Sequence, residues 1–308
     1  MAKDYYLDDS VVAYAWDNSY PPRLSIEPGD TVTFACQEAS GLQIKPDSKA
    51  SALAVLDFSK VDTLTGPVYV KGAAPGDTLV VEILRFAHKG WGWSGIIPGF
   101  GLLADDFTEP YLKIWHLEGD GARFKAGIRL PLDPFCGTMG VAPRQAGPIS
   151  TIAPTEHGGN LDNRGLTAGT TLYLPVWMPG ALFSCGDCHG TQGDGEVCGT
   201  GIEASMDVTL RFGLLKGHSI PELRFERPRP LTLADRGSYY VTTAHGPDLY
   251  RNAQQAIRYM IGHMVEAHKL SEAEAYVLCS VAVDLRISQI VDAPNWMVSA
   301  YLPESIFT

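Results

Sequence analysis

The chain has 308 residues, of which 45% are hydrophobic and 19% are charged, and its formal net charge at pH 7 is −11. These proportions predict a globular protein with a sizeable core and are not those of a disordered chain. An acidic chain without a run of Lys and Arg is also not expected to bind nucleic acid, because phosphate binding needs clustered positive charge.

The chain begins with MAKDYYLDDSVVAYAWDNSYPPR, which lacks the basic start and long apolar core of a secretory signal. No other stretch approaches the roughly 20 consecutive apolar residues that a membrane-spanning helix needs. We therefore expect a cytoplasmic protein with no membrane partner. Thiols stay reduced in that compartment, so the six cysteines are not expected to form disulfides.

Short strands separated by turns are expected along about the first 245 residues. A unit of Gly, Asp or Thr, Thr and an aliphatic residue recurs at 29–32, 76–79 and 169–172, and each copy leads into residues typical of strands. Pro precedes the first two of these glycines, which favours a type II turn. Residues 205–212 alternate apolar and polar side chains and predict a further strand, whereas residues 184–199 are expected to form a loop between strands.

The last third of the chain predicts two helices. Apolar residues between 249 and 265 follow helical spacing, with Asp248 as the expected N-cap. Ser271 and Glu274 have the spacing of a capping box for a second helix, which we expect to end before Pro294. The sequence thus predicts one α+β unit of residues 1–308. Its mostly β, sandwich-like body would span about 1–245, with a helical pair at about 248–292 packed on it.

The stretch SCGDCHGTQGDGEVCG at 184–199 contains three cysteines and a histidine whose order matches known motifs. Cys185, Cys188 and His189 match the C-x-x-C-H pattern of covalent haem attachment, which the expected cytoplasmic location disfavours. The two cysteines could instead form a redox dithiol, or join Cys198 and His189 in a zinc site. The spacing of these residues does not decide between the alternatives.

The acidic and imidazole groups of the same stretch allow a different interpretation. Asp187 and His189 are two residues apart, as are Asp194 and Glu196, so an extended chain would direct each pair to one face. Carboxylates and imidazole together suit zinc or manganese. A second polar segment, EHGGNLDNRGLTAGT at 156–170, contains paired glycines that would let the backbone approach a ligand closely.

Several segments together resemble the acetamidase/formamidase family. They are EHGGNLDNRGLTAGTTLYLPVWMPGALFSCGDCHGTQGDGEVCGTGIE, GPVYVKGAAPGDTLVVEIL, GTMGVAP and AYVLCSVAVDLRISQIVDAPNW, spread from about residue 64 to residue 302. The resemblance implies a β-rich cytosolic hydrolase that forms a homo-oligomer and converts a short aliphatic amide to a carboxylate and ammonia. Cys188 departs from the family pattern, where a small residue such as Gly is expected.

The resemblance also carries candidate metal ligands onto this chain. We expect His157, Asp187 and His189 to bind a divalent metal ion, zinc in the first instance. Such an ion would lower the pKa of bound water and polarise the amide carbonyl.

Further roles follow for the other matching positions. Glu196 is expected to be the base that takes a proton from water and returns it to ammonia, with Asp194 orienting it. Asn160 and Asp162 are expected to fix the metal ligands and contact the substrate.

Two other functions and one pocket feature remain open from the sequence. Cys136 in DPFCGTMG could be a thiolate nucleophile, although no neighbouring His is available to activate it. The chain could also be a non-catalytic protein that binds small amides, since a fold does not determine function. Trp91, Trp93 and Phe100 in KGWGWSGIIPGFG would form either a wall of the substrate pocket or a subunit contact.

Overall fold

The structure is a computed structural model that describes residues 2–227, 237–291 and 293–307. Residues 228–236 of the predicted β body and residue 292 of the predicted helical segment lie outside the described residues. The strands of the described chain are β1 (Asp4–Leu7), β2 (Leu24–Ile26), β3 (Thr31–Cys36), β4 (Leu64–Val70), β5 (Thr78–His88), β6 (Trp91–Ile96), β7 (Tyr111–Glu118), β8 (Gly121–Lys125), β9 (Ile128–Pro131), β10 (Phe135–Gly140), β11 (Gly158–Asn160), β12 (Thr171–Pro175), β13 (Phe183–His189), β14 (Met206–Leu215), β15 (Arg224–Glu226), β16 (Tyr239–Gly246), β17 (Asp284–Gln289) and β18 (Trp296–Pro303). The helices are α1 (Leu249–His268) and α2 (Glu272–Ala282), with short 3-10 helices at Ala50–Val55, Phe58–Lys60 and Glu304–Ile306.

The strands of the described chain form four sheets. The largest has the order β1-β3-β14-β5-β12-β15, and the second has the order β11-β10-β13-β4-β2. The two smaller sheets are β16-β18-β17 and β6-β7-β8-β9. The repeated glycine units precede β3, β5 and β12, and Gly29, Gly76 and Gly169 have φ values of 100°, 92° and 92°, as the third residue of a type II turn requires.

The two larger sheets share one hydrophobic core. Phe183 of the second sheet lies with its ring centroid 5.8 Å from that of Phe34 and 5.1 Å from that of Phe212, both in the first sheet. All three side chains are almost completely buried. Aromatic contacts of this kind hold the sheets face to face, so the mostly β, sandwich-like prediction is confirmed.

The helical pair is also confirmed, together with its caps. The Asp248 side chain accepts a hydrogen bond from Arg251 N at 3.1 Å, and Ser271 and Glu274 form both bonds of a capping box. α1 packs on the β16-β18-β17 sheet and on α2. In the described part of the chain, no helix has the length and apolar character needed to cross a membrane.

Two local predictions were wrong. The expected loop at 184–199 begins as β13, a central strand of the second sheet whose residues are all buried. The second helix ends at Ala282, before Pro294 as expected, but the predicted helical segment at about 248–292 also contains strand β17, Asp284–Gln289, which pairs with β18. Leu285 and Ile287 alternate there with Arg286 and Ser288, a period-two pattern that suits a strand.

Candidate active site

A cavity of about 150 Å³ lies beside β13. Its polar wall contains one imidazole, one carboxamide and five carboxylates, contributed by Asp62, Asn160, Asp162, Asp187, His189, Glu196 and Glu203. Strand β13 supplies Asp187 and His189, and the end of β11 supplies Asn160. The other groups come from the loops that precede β4, follow β11 and connect β13 to β14. Residues from distant parts of the sequence therefore meet at one strand.

His189 is at the centre of this polar wall and is 1% exposed. Its Nε2 atom lies 3.0 Å from Glu203 Oε2, 3.3 Å from Asp187 Oδ1 and 3.9 Å from Asp162 Oδ1. A single ring nitrogen cannot satisfy three carboxylate oxygens. Their convergence marks a point where positive charge is strongly favoured.

Gln192 determines which ring nitrogen of His189 faces the carboxylates. The Gln192 side-chain amide donates to Asp162 O at 2.8 Å, so its oxygen is the atom 2.7 Å from His189 Nδ1. A carbonyl oxygen only accepts, and Nδ1 must therefore carry a proton. Burial lowers the pKa of His189, but the charges of Glu203 and Asp187 outweigh it and raise this pKa well above its ordinary value, so without a metal Nε2 also holds a proton that faces the carboxylates. A metal ion would take the place of that proton, with the Nε2 lone pair as its ligand.

The carboxylates are held in an environment that disfavours their charged forms. Burial, reinforced by the charge of Asp187, raises the pKa of Asp162 to about 7. Burial also raises the pKa of Glu203 to about 8, although nearby His189 opposes this change. Burial and the charge of Asp162 raise the pKa of Glu196 well above its ordinary value. Burial and the charge of Asp187 likewise raise the pKa of Asp62 well above its ordinary value.

The backbone at the site is unusual. Eight non-glycine residues of the described chain have positive φ, and four of them are the cavity carboxylates Asp62, Asp162, Asp187 and Glu196, with φ values of 50°, 42°, 50° and 43°. Left-handed backbone at non-glycine residues costs energy and concentrates at functional sites. Half of these strained residues thus direct carboxylates into one cavity.

Two groups at the site have the geometry of metal ligands. One consists of Asp187, His189 and Glu203 and the other of Asp162, His189 and Glu196, each with ligand atoms within 4.8 Å of one another. Asp162 Oδ1 and Glu203 Oε2 are buried without a hydrogen-bond donor among the described residues. Imidazole with carboxylates is a donor set that suits zinc or manganese, so the residues fit a divalent ion.

Close packing against β10 supports this arrangement. A Cβ atom on Gly137 would lie 2.5 Å from Asp187 Oδ2 and 2.6 Å from Asp162 Oδ1. Thr138, the next residue, donates to Asn160 Oδ1 at 3.0 Å. Glycine at 137 lets the strand pass close to two carboxylates that a larger residue would displace.

His157 and Asp194 are not brought to the cavity wall. His157 is buried with its ring 4.9 Å from that of Trp16, its Nδ1 contacts Thr155 Oγ1, and burial lowers its pKa to about 4. Asp194 N donates to Asp284 Oδ1 at 3.1 Å, away from Glu196. The chain reverses at Gly195, where φ is 104°, so the expectation that Asp194 and Glu196 share a face was wrong.

The cysteines lie behind the site rather than in it. All six are buried and free. Cys188 points away from the cavity, and its Sγ is 3.5 Å from that of Cys136, the residue opposite it on β10. Cys198 donates to Gly95 O at 3.3 Å, so the described residues do not group Cys185, Cys188, Cys198 and His189 as metal ligands.

Of the predicted substrate-binding residues, Asn160, Asp162 and Trp93 line the cavity. Trp91 instead packs, partly buried, against the cluster formed by Ile44, Leu53, Trp93 and Ile97.

Sequence reasoning missed Asp62, Gln192 and Glu203. Asp62 and Glu203 lie outside the two polar segments, and Gln192 carries no charge; only its place three residues after His189 could have suggested a ligand partner.

Comparison with known proteins places the chain in a family. The model of the acetamidase/formamidase family matches residues 2–148 and 145–308. A formamidase from Methylophilus methylotrophus is 28% identical over an alignment that covers 100% of this chain and 92% of the relative.

Solved structures agree with this result. A gamma lactamase from Delftia acidovorans superposes with a TM-score of 0.91 at 26% identity, covering 99% of this chain and 93% of that one. An acetamidase from Bacillus halodurans has a TM-score of 0.69 at 34% identity, covering 96% of both chains. The chain therefore belongs to the acetamidase/formamidase family of amidases.

Proposed function

We propose that this amidase hydrolyses the C–N bond of a small amide in the cavity around His189, with a divalent metal ion as cofactor. The observation that carries the proposal is the convergence of three carboxylates on His189 Nε2, at 3.0, 3.3 and 3.9 Å, in a cavity of about 150 Å³. Family membership supports the reaction class, and the geometry supports where it takes place.

His189 would hold the metal together with Asp187 and Glu203, which leaves Glu196 of the second group free to carry a proton. His157, although expected from the resemblance, is left out of this ligand set because it packs against Trp16. A bound ion would polarise the carbonyl and lower the pKa of bound water. Zinc is the proposed ion because imidazole and carboxylate are among its usual ligands.

Glu196 is the proposed proton carrier of the reaction. Its carboxylate accepts a proton from water as the water oxygen bonds to the carbonyl carbon, and then donates this proton to nitrogen as the C–N bond breaks. One water and one amide thus give one carboxylic acid and one ammonia. Burial and the charge of Asp162 raise the pKa of Glu196 well above its ordinary value, which supports a carboxyl that exchanges a proton with the substrate.

Asn160 is positioned to orient the substrate. Its Oδ1 accepts from Thr138 and its Nδ2 lies 3.4 Å from Ile152 O, which holds the amide group at the cavity wall. Asp62 and Asp162 line the same wall, and a protonated carboxyl there could donate to the carbonyl oxygen of an amide.

The decisive experiment measures ammonia release from a panel of primary amides before and after metal removal. We expect activity with the metal-loaded enzyme, loss of at least about 100-fold after exhaustive chelation, and recovery with zinc or manganese. Full turnover by metal-free protein would refute the metal mechanism. Absence of ammonia release from every amide, with metal bound, would instead favour a non-catalytic amide-binding protein.

A second candidate reaction is the opening of a cyclic amide. The relative with the TM-score of 0.91 is named a gamma lactamase, and the same C–N bond is broken when a lactam ring opens. Chromatography of a lactam incubated with the enzyme would detect the amino acid product. Cytoplasmic location and homo-oligomeric assembly remain predictions of the sequence.

A further inference from the structure

The cavity lining is of two chemical kinds. The acidic groups and His189 form its acidic end, and apolar side chains form an apolar wall. The apolar wall includes Leu56, Phe58, Val61, Trp93, Ile97 and Phe100. A primary amide has the same division, since its carboxamide is polar and its acyl substituent is not. The carboxamide therefore fits the acidic end, and the substituent fits the apolar wall.

The smallest amides match only the acidic part of the cavity. The volume of about 150 Å³ is shared by the substrate with any metal ion and water at His189. Formamide has no carbon beyond its carboxamide, and acetamide has one methyl group. Either would leave much of the apolar wall without contacts.

Trp93 is a rigid part of this wall. Its indole N–H donates to Glu38 Oε2 at 2.5 Å, and its backbone exchanges hydrogen bonds of 2.9 and 2.8 Å with Glu203. Glu38 is itself fully buried and also accepts from the backbone of Ser40 and Leu42. The tryptophan ring is therefore held next to a proposed metal ligand, and the wall cannot easily close onto a smaller substrate.

Two phenylalanines stand at the outer part of the same wall. Phe58, on a 3-10 helix, and Phe100, in the loop after β6, have ring centroids 6.1 Å apart in an edge-to-face arrangement. They are 44% and 39% exposed. Large apolar side chains so exposed at a cavity gain burial when a ligand contacts them.

We infer that the preferred substrates are primary amides of four or five carbons with an unbranched or branched apolar acyl group, rather than formamide or acetamide. The inference rests on the proposed amidase function and deepens it by naming the substrate class. Trp93 contacts the acyl chain from one side, and Phe58 and Phe100 cover its outer end.

The first test compares kcat/KM for formamide, acetamide, propionamide, butyramide, isobutyramide and pentanamide with the metal-loaded enzyme. Burial of each methylene is expected to raise kcat/KM about fourfold up to butyramide or pentanamide. Lactamide is a matched polar control, because it replaces one methyl of isobutyramide by a hydroxyl. We expect it to react about tenfold more slowly than isobutyramide, since the apolar wall offers no partner for the hydroxyl.

The second test changes the wall. Phe58→Ala and Phe100→Ala should each lower the ratio of kcat/KM for butyramide over acetamide by about fivefold, because apolar contact with the longer chain is lost. Val55→Ala is the matched control: this residue lies on the neighbouring 3-10 helix, is 79% exposed and does not line the cavity. It should leave the ratio unchanged.

The outcomes separate this inference from the function on which it rests. Highest kcat/KM with formamide or acetamide would overturn the inference while leaving the amidase proposal intact. If no amide is hydrolysed, the proposed function fails, and titration of tryptophan fluorescence still compares the affinities for butyramide and acetamide. Equal or weaker binding of butyramide would then overturn the inference as well.

Discussion

Removal of the Gln192 side-chain amide should weaken metal binding without touching a ligand. Gln192 is 2% exposed, so water is not expected to replace its two hydrogen bonds. Gln192→Leu leaves His189 Nδ1 and Asp162 O without partners that now lie at 2.7 and 2.8 Å. The ring would then be free to rotate or to carry its proton on Nε2, the atom that faces the carboxylates.

The magnitude follows from the kind of contact that is lost. Loss of the hydrogen-bond partner of a ligating histidine costs about 10–100-fold in metal affinity or activity. Two buried polar groups left unpaired also cost about 1–3 kcal/mol each in folding free energy. Gln192→Glu is the informative control, because it keeps an acceptor for Nδ1 and removes only the donor to Asp162 O.

The assay is calorimetric titration of metal-free protein with zinc, combined with urea denaturation in the absence of metal. We expect Gln192→Leu to bind zinc about 10–100-fold more weakly and Gln192→Glu to bind at least as tightly as the original chain. Unchanged zinc affinity in Gln192→Leu would refute the argument that Gln192 fixes the tautomer of His189. Equal weakening in both variants would mean that the donor to Asp162 O, not the acceptor for Nδ1, is what matters.

Two further predictions concern residues outside the cavity. Cys136→Ala should keep kcat within about twofold, because burial raises the pKa of this thiol well above its ordinary value and leaves little thiolate at neutral pH. A kcat below about one hundredth of that of the original chain, in folded protein, would restore the cysteine-nucleophile alternative. Tyr276→Phe should lower the free energy of unfolding by about 2–4 kcal/mol in urea denaturation, because the buried hydroxyl accepts from Leu103 N at 2.8 Å and donates to Val197 O. Tyr250→Phe, at a side chain that is 59% exposed, is the control, and equal stability of the two variants would contradict this account.

Local signals in the sequence predicted four strands and both helices. Glycine turns predicted β3, β5 and β12, alternation predicted β14, and the caps at Asp248 and Ser271 predicted both helices. Such signals depend only on residues close in sequence, and at these elements the tertiary packing agrees with them. β13 was missed because Gly186 and Asp187 belong to residue types that are depleted in strands, and burial of the whole strand is not visible in the sequence.

The candidate site was predictable in part for a related reason. Asp187 and His189 both reach the cavity from β13, as their spacing predicts, although the backbone at Asp187 is left-handed. Asp194 and Glu196 have the same spacing but diverge, because a left-handed turn lies between them. Asp62 enters the site from the loop before β4, about 125 residues upstream in sequence. No pattern of neighbouring residues can predict a contact between residues so far apart in sequence.

The arrangement of the site explains why its residues depart from ordinary folding preferences. Four carboxylates on left-handed backbone, crowded around one buried imidazole, oppose folding through strain, burial and mutual repulsion. Under the proposed function, a cation bound among them would remove the repulsion and make the same geometry favourable. The apolar wall that includes Trp93 carries no such charge repulsion, and it would contact the acyl chain of an amide. Gln192→Leu and Phe58→Ala therefore test the acidic and apolar parts of the cavity independently.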